Sequence, residues 1–85
     1  MSELKEQRYI IEIAKVQGVA KAAENLFISK PALSKFLTRT EEMYGVQLFE
    51  RIGKKMIPTY AGKQYLEYAK QIVKLDKDLD RKSVV

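Results

Sequence analysis

A Ser-Lys-Pro tripeptide at residues 29–31 separates two segments with helical periodicity, and no other feature constrains the fold of this chain as strongly. The residue before a proline is biased away from the α region, whereas proline itself fits the first turn of a helix. We therefore predict that one helix ends near residue 27 and that another begins near Lys30. A short helix, a tight turn and a second helix in this order are typical of a helix-turn-helix.

Two helices are predicted before this turn. Residues 3–16 have a broad apolar face, and Gly18 is expected to end that helix at or near its C-cap. Residues 20–27 predict a short second helix, in which Leu26 and Phe27 are the expected core anchors. These segments would provide the support on which the next helix rests.

The helix after the turn is predicted to run from about Lys30 to Tyr44, where Gly45 provides a left-handed stop. Leu33, Leu37 and Tyr44 mark its expected buried side. Hydroxyl, ammonium and guanidinium groups, which suit phosphates and base edges, occupy adjacent turns of the opposite face. These residues are Ser34, Lys35, Thr38 and Arg39. The alternative is an ordinary solvated helix face.

The sequence changes period after Gly45, since Val46, Leu48 and FERIGKKMIP predict two short β-strands, a wing. Gly53 permits a tight turn, and Lys54 and Lys55 are expected at its tip, where they could reach a phosphate or a minor groove. Lysine at a strand edge also has a structural explanation, because it discourages pairing with other strands.

A long helix is predicted from Thr59, its N-cap, so we divide the chain into a domain at 1–58 and a linker helix at 59–85. An apolar heptad stripe predicts a dimer interface on this helix. Its residues are Ala61, Tyr65, Tyr68, Ile72, Leu75 and Leu79. A second stripe, comprising Leu66, Ala69 and Val73, is expected to pack on the chain's own domain. The predicted fold is thus mainly α: a three-helix core and a two-stranded β wing, followed by a long dimerisation helix.

The net charge of +5 is concentrated in two segments. Residues 19–40 carry +3 and residues 51–66 carry +4, while the rest of the chain sums to −2. If folding brings the two segments together, they form a face that attracts a polyanion. The alternative is a charge that only keeps the surface solvated.

The inventory of reactive side chains argues against catalysis. A chain of 85 residues has little room for a buried catalytic cavity, and this one has no Cys and no His. We therefore expect no enzyme activity, no metal and no cofactor. The start, MSELKEQRY, is charged, and no apolar stretch approaches the roughly 18 residues of a membrane span, so we expect a soluble cytoplasmic protein.

The stretch VAKAAENLFISKPALSKFLTRTEEMYGVQLFERIGKKMIPTYAG, residues 19–62, resembles the winged helix-turn-helix domain of LysR-type transcriptional regulators. The likeness covers residues 4 to about 80 and rests on A-A, L-F, S-x-P-[AS]-[LV]-S, L-F-x-R and T-x-A-G in order and spacing. It implies sequence-specific binding of double-stranded DNA, with helix 30–44 in the major groove and wing 51–57 on the adjacent backbone or minor groove. It also implies a homodimer on a near-palindromic operator, and a small-molecule effector only if the full-length protein has an effector domain.

The resemblance and the charge pattern together give the expected DNA contacts. These are Lys21, Ser29, Lys30, Pro31, Ala32, Ser34, Lys35, Thr38 and Arg39 from the helices and Arg51, Lys54 and Lys55 from the wing. The chain departs from the family pattern at Ala20, where a capping Ser or Thr is usual, and at Lys30, where Gln is usual. Phe36 replaces another usual Gln, and Thr40 a common core Leu. We therefore expect the second helix to lack that cap.

Two alternatives to DNA binding follow from the same sequence. The first is a protein-interaction or assembly module that acts through helix 59–80, with a basic charge that only aids solubility. The second is a basic amphipathic segment on a membrane surface, which is disfavoured because its apolar residues are already needed by a globular core.

Overall fold

The computed structural model describes residues 4–83, with side chains through residue 78. The elements follow in the order α1 (Lys5–Val16), α2 (Val19–Leu26), α3 (Lys30–Tyr44), β1 (Phe49–Ile52), β2 (Lys55–Pro58) and α4 (Tyr60–Ser83). The predicted mainly α winged helix-turn-helix is confirmed. None of the helices within these residues combines the length and the apolar character needed to cross a membrane.

The core lies where α1, α2 and α3 meet under the start of the wing. Its largest fully buried side chains are Ile10, Ile13, Leu33 and Leu48. Ile10 and Ile13 are three residues apart and therefore share one face of α1. The helical periodicity of the sequence thus locates the inner side of each helix.

Left-handed residues end both α1 and α2. Gln17, rather than Gly18, adopts the left-handed conformation at the C-cap of α1 with φ of 58°, and Gly18 is the extended N-cap of α2. Phe27 ends α2 in the same conformation, with φ of 59°. The prediction that Phe27 anchors the core is wrong, because the left-handed turn leaves its side chain 94% exposed. Leu26 does pack against the core, as expected.

Local signals define both ends of α3. The Ser29 Oγ accepts a hydrogen bond from the Ala32 N–H at 3.2 Å, and Gly45 ends the helix with φ of 72°. Tyr44 is 48% exposed, so its assignment to the buried side is wrong, whereas Thr40 is buried. The Thr40 hydroxyl donates to the Phe36 carbonyl at 2.9 Å, which satisfies it inside the core.

The wing is an antiparallel hairpin whose register pairs Ile52 with Lys55. The strands are shorter than predicted, and Val46 and Leu48 precede β1. The two-residue turn consists of Gly53, with φ of 65°, and Lys54, so the expectation for Lys55 was wrong: it begins β2 instead of lying at the tip. Because a two-residue turn closes the hairpin, its tip lies one residue earlier than the sequence predicted.

Backbone contacts attach the wing to the helices. The Met56 N–H donates to the Gln17 carbonyl at 3.1 Å, which ties β2 to the turn between α1 and α2. The Glu41 carboxylate accepts the N–H groups of Leu48 and Phe49 at 2.7 and 3.3 Å. The wing is therefore held against the core at both of its strands.

Helix α4 packs along α1, with Leu66 and Ala69 buried and Val73 half-buried, so the predicted second stripe faces the domain. The Thr59 Oγ accepts the Gly62 N–H at 3.0 Å, as expected of an N-cap. A Cβ on Gly62 would lie 1.9 Å from the Leu48 carbonyl oxygen, so only glycine permits this approach of helix and wing.

Candidate nucleic-acid interface

The first half of α3 is open to solvent on the side away from the core. Lys30, Pro31, Ala32 and Lys35 are exposed, and Ser34 is half-exposed. Further along the helix, Thr38 and Arg39 are also exposed. The Ser29 hydroxyl caps the helix, so this side chain also has a structural role.

A basic groove lies between the start of α2, the start of α3 and the wing. Its cations come from both positive segments of the sequence: Lys21, Lys30, Arg51 and Lys54. Its volume is about 320 Å³, its other lining residues are Val16, Gln17, Gly18, Val19, Ala20 and Met56, and none of them is acidic. We call this feature the wing groove.

The cations of the wing groove differ in their partners within the chain. Lys21 makes an ion pair with Glu24 at 3.1 Å. Lys30, Arg51 and Lys54 make no ion pair with any described residue. Lys55, the first residue of β2, is exposed but does not line the groove.

The first turn of α2 has no side-chain cap, as its departure from the family pattern predicted. Gly18, the N-cap, has no side chain to accept a hydrogen bond, and Ala20 is exposed. From the sequence, the N-cap position was expected at Ala20, but the N-cap of α2 is Gly18, two residues earlier.

Arg39 lies on the other side of α3 from the wing groove. It lines a separate hollow of about 330 Å³ with Glu6, Phe36, Thr40 and Met43. The predicted polar face of α3 is therefore broad, and its cations lie beside different neighbours.

The predicted dimer stripe divides into an inner and an outer part. Tyr68, Ile72 and Leu75 are 65%, 43% and 59% exposed. Ala61 and Tyr65 are half-buried within the chain, and the side chain of Leu79 lies outside the described side chains. Three large apolar groups thus remain in water on one side of α4.

Tyr65 belongs to a network that the sequence did not reveal. Its hydroxyl and that of Tyr44 donate to the same Glu6 carboxylate oxygen at 2.6 and 2.8 Å. Burial and the hydrogen bond to Glu6 raise the pKa of Tyr65 far above 10, and the Glu6 hydrogen bond also raises the pKa of Tyr44. Both phenols remain protonated donors at neutral pH, so the network links α1, α3 and α4.

A further concave surface is formed by a single helix. A hollow of about 660 Å³ lies along α4 and is lined only by residues between 63 and 71, so one helix forms all of its walls. Within the described residues, no group of three Asp, Glu, His or Cys side chains could hold a metal ion.

The sequence and the fold of this chain have counterparts in known proteins. The family profile described as "Bacterial regulatory helix-turn-helix protein, lysR family" matches residues 4–63. The HTH-type transcriptional regulator BsdA of Bacillus subtilis is 40% identical over 72 residues, which are 84% of this chain and 25% of that protein. The RuBisCO operon transcriptional regulator of Allochromatium vinosum is 35% identical over 69 residues, 81% of this chain and 23% of that protein. The chain therefore spans about a quarter of the length of these relatives.

Solved structures show the same architecture. The crystal structure of the CbnR_DBD-DNA complex has a TM-score of 0.85 at 30% identity, with 96% of this chain and 94% of that chain covered. The BenM_DBD/catB site 1 DNA complex has a TM-score of 0.83 at 31% identity, with 96% and 92% covered. Sequence and fold thus agree: the chain belongs to the LysR family of bacterial helix-turn-helix regulators and carries that family's winged helix-turn-helix DNA-binding domain.

Proposed function

We propose that this chain binds double-stranded DNA through the N-terminal half of α3, which enters the major groove, while the wing lies on the adjacent backbone or minor groove. The observation that carries this proposal is that unpaired cations of α3 and of the wing lie on one side of the domain. Major-groove dimensions admit one α-helix, and lysine and arginine beside it neutralise phosphates.

The proposed contact residues are those predicted from the sequence, with Lys54 at the tip of the wing and Lys55 beside it. Ser34 and Lys35 are the proposed readers of base edges, since Lys35 points away from the core and Ser34 is half-exposed beside it. Lys21 and Arg51 are proposed phosphate contacts.

The proposal is tested by fluorescence anisotropy titrations with a labelled mixed-sequence duplex at several salt concentrations. The logarithm of the affinity should fall by about 0.9 per phosphate contact for each unit of log salt. A Lys54→Ala, Lys55→Ala double variant should flatten that slope by up to about two units. Lys70→Ala, which removes an exposed cation from α4, is the matched control and should leave the slope unchanged. Binding that ignores salt would contradict the proposal.

Base reading is tested on a duplex selected from random DNA by the wild-type protein. Ser34→Ala or Lys35→Ala should cost roughly 1 to 3 kcal/mol on the selected duplex and less on random DNA. Equal losses on both duplexes would make these residues phosphate contacts.

We also propose that two copies pair through α4 and bind a near-palindromic operator. The exposed side chains of Tyr68, Ile72 and Leu75 support this, because leaving apolar area in water costs about 25 cal/mol per Å². Sedimentation of the wild type at micromolar concentration should give a dimer, and an Ile72→Asp, Leu75→Asp double variant should give a monomer. A monomeric wild type would refute this part of the proposal without affecting DNA binding by one copy.

The relatives are transcription regulators, and we propose that this chain likewise has no catalytic activity, metal or cofactor and acts in the cytoplasm where its DNA is. We also propose that the chain divides into a DNA-binding domain at residues 1–58 and a linker helix at residues 59–85. A small-molecule effector would need a further domain.

The exposed stripe of α4 also favours a second candidate, an assembly module acting through residues 59–80. A chain that dimerises but binds no DNA at low salt would support that candidate instead.

A further inference from the structure

The cations of α3 leave the helix in different directions. At about 100° per residue, Lys30 lies about 20° around the helix axis from Leu37, whereas Lys35 lies about 160° from it. Leu37 is 6% exposed and marks the inner side of α3. Lys35 therefore points directly away from the core, while Lys30 projects from the inner edge of the helix at its first residue.

The surroundings of the two lysines agree with these directions. Lys30 lines the wing groove together with Lys21, Arg51 and Lys54, whereas Lys35 does not line it. No carboxylate lines this groove, and Lys30 has no ion pair with any described residue. The positive charge that surrounds Lys30 is therefore compensated only in part, by the ion pair of Lys21 with Glu24.

A phosphodiester is the part of DNA that fits this arrangement. Several cations around one concave surface attract a compact anion, and a lysine ammonium binds phosphate as a point charge without the planar geometry that arginine requires. A base edge offers only partial charges, and its reader must point into the major groove. Lys30 faces the wing instead.

We propose that Lys30 binds a backbone phosphate in the wing groove, jointly with Arg51 and Lys54, and does not read a base. Base reading then falls to the other cations of α3, and Lys35, which points directly away from the core, is the one tested. By binding this phosphate, Lys30 fixes the start of α3 relative to the DNA strand that lies along the wing. This inference rests on the proposed DNA binding and adds the division of roles between the two lysines.

The test compares Lys30→Gln with Lys35→Gln by anisotropy on the selected duplex and on a random duplex. Lys30→Gln should weaken binding to both duplexes by the same factor, on the order of tenfold at 0.1 M salt, and flatten the salt slope by about one unit. Lys35→Gln should weaken binding to the selected duplex more than to the random one. Circular dichroism and thermal melting verify that both variants are folded.

A scan of the selected duplex with single neutral methylphosphonates identifies the phosphate. Neutralising one backbone position should weaken binding of the wild type and of Lys35→Gln. It should weaken binding of Lys30→Gln by a smaller factor, because only Arg51 and Lys54 still contact that phosphate. Lys70→Gln, an exposed cation of α4, should respond to every position as the wild type does.

The outcomes separate this inference from the function on which it rests. Two results would overturn the phosphate role while DNA binding stands. One is a loss of affinity of Lys30→Gln that is confined to the selected duplex, and the other is a scan in which Lys30→Gln is as sensitive as the wild type at every position. A wild type that binds neither duplex would overturn the proposed function and this inference together.

Discussion

Two regions of the domain differ in how their charged side chains are paired. Where α1 packs against α3 and α4, several charged groups have partners within the chain, whereas several cations around the start of α3 and the wing have none among the described residues. Glu6 accepts two phenol hydroxyls, and Arg8 pairs with Asp76 at 3.3 Å. Lys30 and Lys35 have no such ion pair with any described residue. Paired charges join elements of the fold, while unpaired cations of one sign remain available for an external polyanion.

The largest change in the free energy of unfolding is expected when Glu41 is substituted. Glu41→Ala would leave the buried backbone N–H groups of Leu48 and Phe49 without their acceptor, at a cost of about 2 kcal/mol in the free energy of unfolding. Glu42→Ala, at the exposed neighbouring position, should change it by less than about 0.5 kcal/mol. Urea denaturation measures both, and equal values would show that the carboxylate of Glu41 does not hold the wing.

The next largest effect concerns the network at Glu6. Tyr65→Phe removes a hydrogen bond to a carboxylate and should lower the free energy of unfolding by about 1 kcal/mol at pH 7. Tyr60→Phe is the control, because Tyr60 is 79% exposed. Chemical denaturation of the two variants provides the comparison, and similar stabilities would contradict a role of the Tyr65 hydroxyl.

The same network predicts a pH dependence. The folded pKa of Tyr65 is raised above the ordinary value of 10.0, so the unfolded chain ionises first. Its stabilising contribution is therefore complete below pH 10 and is lost as the pH rises beyond it. Denaturation between pH 8 and pH 11 should show a steeper loss for the wild type than for Tyr65→Phe, and parallel curves would contradict the assignment.

Phe27 extends the comparison to an exposed apolar side chain. A residue other than glycine in the left-handed conformation is strained by roughly 1 to 2 kcal/mol. Glycine avoids this strain, but its greater conformational freedom in the unfolded chain offsets part of the gain in stability. Phe27→Gly should therefore stabilise the domain by about 0.5 to 1 kcal/mol. Phe27→Ala, which keeps the strain, should give no such gain in thermal melting. Destabilisation by Phe27→Gly would show that the exposed ring makes contacts that support the fold.

The smallest effect on stability is expected among the unpaired cations. Lys54→Ala should change the free energy of unfolding by less than about 0.5 kcal/mol, because this exposed side chain has no ion pair with a described residue. The same variant should lose affinity for DNA, as measured by anisotropy. A stability loss as large as that of Glu41→Ala would remove the contrast between the two regions.

Local signals made most of the fold predictable. Ser29, Pro31 and Gly45 define the ends of α3 by their own chemistry, and the period of apolar residues located the core. The error at Phe27 arose because a large apolar residue after a helix is compatible with a core anchor, while the left-handed geometry that exposes it has no signature in phenylalanine. The tip of the wing was misplaced by one residue because either lysine could occupy a two-residue turn.

The candidate site was predictable in its members but not in their grouping. Charge segregation identified Lys30 and Lys54, yet only the fold shows that they line one groove and that Arg39 lies elsewhere. The Glu6 network joins residues 38 and 59 positions apart in the sequence. Such long-range pairs leave no periodic signal, so no pattern in this single sequence could have indicated them.

The missing side chain of Gly62 also affects how a pair of these domains would fit an operator. Because the first turn of α4 lies directly against the carbonyl of Leu48, that helix is packed tightly on the base of the wing. In a dimer joined through α4, the angle at which the two helices cross would therefore set the distance between the two wings. The permitted number of base pairs between half-sites would then depend on residues far from the DNA, and a substitution in the α4 contact could change the preferred spacing while the preferred bases stay the same.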